Sequence, residues 1–169
     1  EADNTISLCR GYFPFDTSEI SAGETVTAAT FSFVAAQKSV VGGDYDYINV
    51  QASTQASLTQ LVAGDYNNFL MNPGADSLYC ANKPVSGIST GSYTDMVFDA
   101  NGIAGIKKGG YTKLVVRSGF DIENESPDCG TEEYGRVTVY YSENTGSYDP
   151  KLTVTVAASS YAGAVIFVE

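Results

Sequence analysis

Ser21-Ala22-Gly23-Glu24-Thr25-Val26-Thr27-Ala28-Ala29-Thr30-Phe31-Ser32-Phe33-Val34 is the stretch that decides the fold. Its first four residues form a turn, and from Thr25 onward Val26, Ala28, Phe31 and Phe33 interleave with Thr27, Thr30 and Ser32. Apolar side chains interleaved with hydroxyls, in a run of β-branched and aromatic types, mark a strand with one face on a core. Reading outward, strands are expected at 5–15, ending in the turn Asp16-Thr17-Ser18, and at 47–52, where Ile48 and Val50 alternate with Asn49 and Gln51. Further strands are expected at 94–98, 111–118, 134–141 and 151–156, the last two parted by the turn Asn144-Thr145-Gly146-Ser147. Residues 58–84 carry Val62-Ala63-Gly64-Asp65-Tyr66 and Asn72-Pro73-Gly74, and read as long loops with one irregular strand around 78–80. Residues 99–107 predict a short helical crossover, with Asp99 as N-cap, Ile103 and Ile106 on one face, and Gly109-Gly110 as its stop. Short strands at these intervals make the fold class all-β: an antiparallel two-sheet β-sandwich, jelly-roll-like, with one short helical crossover.

A chain of 169 residues suits one core, and the domain is expected to span 1–156. The formal net charge of -11 repels phosphate backbones and anionic headgroups, so nucleic acid is a poor partner. No apolar run approaches the ~20 residues of a membrane-spanning helix. The sequence opens at Glu1 without an initiator Met or leader pattern, so it reads as a processed mature chain or a fragment, and we expect a secreted protein on an extracellular surface.

There is no His, and Cys9, Cys80 and Cys129 are scattered, so neither a zinc site nor a Ser-His or Cys-His nucleophile can be assembled in the usual way, and no catalytic residues are assigned. Cys80 and Cys129 lie in loop-like stretches and are expected to form a disulfide, leaving Cys9 as a buried free thiol. Three unpaired thiols are the alternative. The densest carboxylates, Asp121/Glu123/Glu125 and Glu132/Glu133, read as solvated acidic loops more readily than as an acid–base pair. Asp44, Asp46, Asp121 and Asp128 are candidate Ca²⁺ ligands, without the spacing of a known calcium loop. The 12 Tyr admit glycan binding by stacking, although Trp is absent. Asn124-Glu125-Ser126 is a glycosylation sequon.

Arg10-Gly11-Tyr12-Phe13-Pro14-Phe15-Asp16-Thr17-Ser18-Glu19-Ile20, followed by Gly23-Glu24-Thr25-Val26-Thr27-Ala28-Ala29-Thr30-Phe31, resembles the opening of the DNRLRE-type β-sandwich domains of extracellular and phage-associated proteins. Leu61 to Tyr66, Asn101 to Gly109, Lys113 to Ser118 and Tyr148 to Val156 look like later strings of the same family, in the same order. The resemblance covers roughly 6–156. It implies the sandwich fold and carries over no catalytic set. Asp16 and Thr17 are expected to cap their turn, and Arg10 to pair with a carboxylate at the sheet edge. Such domains usually have a strand upstream of the Arg10 motif, so the first sheet is expected to be one strand short. They usually stop at the strand matched here by 150–156.

Beyond that point Ala157-Ala158-Ser159-Ser160 reads as a linker (157–160), and 161–169 as an apolar strand containing Tyr161, Val165, Ile166, Phe167 and Val168. Val165 to Val168 are apolar at every position, which suits a strand covered on both faces. A vacancy at one end and a spare strand at the other suggest a subunit of a pilus-like extracellular filament, joined to copies of itself by donor-strand addition. The alternatives are that the tail closes on its own subunit, or that the chain is a glycan- or surface-binding adhesin module of a larger exported or phage fibre protein.

Overall fold

The computed structural model describes residues 8–40, 44–67, 78–125, 136–141 and 147–157, and the backbone of Val165–Val168. The first sheet holds β1 (Gly11–Asp16), β3 (Tyr47–Ala52), β4 (Lys83–Pro84) and β6 (Tyr111–Ser118), in the order β1-β6-β3-β4. The second holds β2 (Val26–Ser39), β5 (Tyr93–Val97), β8 (Lys151–Val156) and β9 (Val165–Val168), in the order β5-β2-β8-β9. β7 (Arg136–Val139) also pairs with β2, over Ala35 to Ser39, where the β8 ladder has ended at Ser32. Every strand pair is antiparallel. The chain is an all-β two-sheet sandwich, as its strand pattern requires. α1 (Ala100–Ala104) is the expected crossover: the Asp99 carboxylate accepts from the Asn101 and Gly102 amides at 2.8 and 3.0 Å. Gly109, at φ 66, then turns the chain as only glycine does readily.

The core lies where alternation predicts. Phe31, Phe33, Leu152 and Val154 of the second sheet and Val50 and Leu114 of the first are at most 1% exposed. Phe31 sits at its middle, with the rings of Phe13, Phe33 and Phe15 centred 5.0, 5.8 and 6.0 Å away. Fully burying each such ring contributes roughly 1.5–3 kcal/mol.

Two details differ from the sequence reading. β2 runs on past Val34 to Ser39, with a register shift between Ala35 and Gln37 that lets it serve two partners in succession. Gly11–Phe15 and Lys113–Arg117, both rich in apolar residues, read from the sequence as central strands of the core, but β1 pairs with β6 alone among the described residues and forms the edge. β6 is an inner strand, flanked by β1 and β3. Pro14 explains the edge position, because it has no N–H to give to a second neighbour.

The outer faces of both sheets are partly covered too. Val115 and Val34 are each 0% exposed, yet alternation sets them opposite the core residues beside them. The turn after β1 is held from inside: Thr17, fully buried, donates its hydroxyl to the Lys107 carbonyl at 2.6 Å and lies 3.0 Å from the Thr112 hydroxyl. Asp16 accepts from the Ser18 amide at 2.9 Å, so both residues cap the turn as expected.

Candidate functional site

Val165–Val168 forms β9 on the outer side of β8, with Val165 opposite Thr155, Ile166 opposite Val154, Phe167 opposite Thr153 and Val168 opposite Leu152. The tail therefore lies against its own chain. β8 is well prepared to hold it: its other side is paired with β2 from Val26 to Ser32, and Leu152, Val154 and Val156 are buried at 0, 0 and 4%. The vacancy expected beside the first strand is not the one that the tail fills; β9 extends the second sheet. Tyr161 lies outside the described residues, as do 158–164.

The other sheet edges carry features that discourage further pairing. β1 has Pro14; β4 is two residues long and ends in Pro84; β5 exposes Asp95, and β7 exposes Arg136. Val165-Ile166-Phe167-Val168 has neither a charge nor a proline.

Among the described residues the acidic candidates do not converge. Asp121 is no loop carboxylate; it sits in α2 (Gly119–Glu123) with its side chain 4% exposed between two arginines. Arg10 reaches it at 2.5 and 2.7 Å and Arg117 at 2.7 Å. Burial by itself pushes the Asp121 carboxyl up, but the hydrogen bonds and charges of the two guanidiniums outweigh it and hold it below the usual value. With its oxygens engaged in this way, Asp121 is not available as a Ca²⁺ ligand. Glu123 accepts from the Tyr47 hydroxyl at 2.8 Å, which with burial pushes that hydroxyl up to about 12. Asp44 is exposed and Asp46 half-buried; Asp128, Glu132 and Glu133 lie outside the described residues. Among the described residues no three His, Cys, Asp or Glu side chains gather as a metal site would need.

The arginine pair belongs to a larger polar cluster that the sequence did not reveal. Asn49, Gln51, Gln55 and Asp65 are at most 2% exposed, on or beside the outer face of the first sheet. Asp65 accepts from the Ala56 and Val62 amides at 3.1 and 3.0 Å, folding residues 56–65 into a strap. Tyr12 donates to the Asp65 carbonyl at 2.8 Å, Lys113 to that of Gln55 at 2.7 Å, and Arg10 to that of Tyr66 while lying 3.9 Å from the Tyr66 ring. The only sequence signal of this strap is the pair Asn49 and Gln51, polar residues in a strand whose buried partner face is complete.

The cysteine assignment changes. Cys80 is a buried free thiol whose Sγ donates to Asn49 Oδ1 at 3.2 Å, and burial pushes it up to about 11. Its expected disulfide partner, Cys129, lies outside the described residues. Cys9, expected to be buried, is exposed because the described chain before β1 is not part of a strand. Asn124 is exposed at the left-handed C-cap of α2, at φ 56.

No protein-family model matches this chain, and neither does any curated protein or solved structure. The resemblance to DNRLRE-type domains rests on the quoted strings alone.

Proposed function

We propose that the protein is a structural subunit of an extracellular filament, in which β9 of one copy takes the place beside β8 of the next. The observation that supports this reading is the β8–β9 ladder: an uncharged apolar strand at the end of the described chain, on the one described sheet edge without a proline or charge, beside a β8 whose other side is held by β2. The self-paired chain is then the closed monomer. Exchange between copies preserves every β8–β9 hydrogen bond and the burial of Leu152 and Val154, so closed and exchanged forms differ chiefly in the effective concentration that favours self-pairing. A head-to-tail exchange leaves one strand and one acceptor edge at the ends, and so propagates.

Removal of residues 161–169 tests this. The truncated chain is expected to remain folded, to stay monomeric when the full chain forms polymers visible by electron microscopy, and to bind a synthetic peptide of residues 157–169. A full chain that remains monomeric after refolding at high concentration, or polymers that form equally well without residues 161–169, would overturn the proposal.

A further inference from the structure

At one end of the second sheet's outer face, tyrosines gather around Val34. Tyr93 of β5 stands opposite Val34, and the Tyr140 amide donates to the Val34 carbonyl at 3.1 Å. The Tyr93 hydroxyl lies 3.1 Å from the Ser147 carbonyl and 3.0 Å from that of Asp149, on either side of Tyr148. The Tyr148 ring in turn stacks on Tyr140, with centroids 5.1 Å apart and planes 28° from parallel. Tyr93 and Tyr148 are nevertheless each 39% exposed. Two large rings are thus fixed in place and left partly open to solvent.

The next row of the same face is polar. Lys151, Ser32 and Asp95 stand side by side on β8, β2 and β5; Ser32 donates to Asp95 at 2.7 Å, and the Lys151 ammonium lies 5.0 Å from the centre of the Tyr93 ring. One positive and one negative charge leave the row neutral, with hydroxyl, carboxylate and ammonium groups in line.

We infer that this face is a binding site for a neutral polysaccharide. Sugar rings present C–H faces that pack on aromatic rings and hydroxyls that bond to carboxylates and ammonium groups, and both kinds of partner are adjacent here. Rings already fixed by the Tyr93 hydroxyl bonds and the Tyr140 stack lose little freedom on binding. Anionic polysaccharides are disfavoured by the net charge of -11. The site is independent of filament assembly, since it uses no residue of β9.

Affinity electrophoresis of the full chain through gels containing a β-1,4-glucan, a β-1,3-glucan or an α-mannan tests the inference. At least one gel should retard the protein, and Tyr148→Ala and Asp95→Asn, each checked for an unchanged circular dichroism spectrum, should weaken that retardation about three- to tenfold, the worth of a stacking contact. Tyr111→Ala, at an exposed tyrosine of the first sheet, should leave it unchanged. Absence of retardation in all three gels, or equal retardation of every variant, would overturn the assignment.

Discussion

Asp121 holds two arginines from distant parts of the chain. It joins the segment before β1 through Arg10, the end of β6 through Arg117 and the first turn of α2 in one ion cluster. Breaking a buried cluster costs more than the cluster gains over an apolar packing, because the partners keep their desolvated charges. Asp121→Asn should therefore destabilise the protein by about 3 kcal/mol, read from urea unfolding at neutral pH. The pH dependence has a definite sign. A carboxyl held low by folding adds stability in full above the ordinary aspartate value of about 3.9, and loses it as pH falls through the lower folded value. The parent should lose stability in that acid range more steeply than Asp121→Asn, and equal slopes would show that the cluster does not govern acid unfolding. The sequence showed Arg10 and its need for a carboxylate, but not which one: 111 residues separate the partners, and no local pattern encodes such a distance.

Among the elements, the bounds of β3, β6 and β8 follow directly from alternation bounded by turn residues. Strand position within a sheet is another matter, since pairing is a long-range choice; only Pro14 hinted that β1 lies at an edge. β6 is an inner strand, and its Leu114 is 0% exposed against the core. Leu114→Ala should cost roughly 2–5 kcal/mol through lost burial and the cavity left behind, measured as a fall in the midpoint of denaturant unfolding. A change below 1 kcal/mol, on the order of a surface substitution, would mean that β6 is not central. The polar strap was illegible for a related reason: Asp65 and Gln55 look like ordinary loop residues until the fold brings Tyr12 and Lys113 beneath them.

For the whole molecule, β9 and β8 should differ in dynamics. β8 is paired on both sides and β9 on one, so β9 amides should exchange with solvent by local opening, well before the β8 amides, which need far more of the sandwich to open. Hydrogen exchange at low concentration should show fast exchange in β9 and slow exchange in β8; equal rates would mean that the tail does not open separately and would leave strand exchange without a route. The chain's path also bears on how the protein is made. β2 pairs with β8 over its first half, and the Thr27 hydroxyl donates to the Thr155 carbonyl 128 residues later. On a ribosome, Phe31 and Phe33 emerge long before β8, the strand that pairs with β2, is synthesised. The second sheet thus closes only once β8 has been made, and until then the apolar face of β2 must be shielded from other nascent chains.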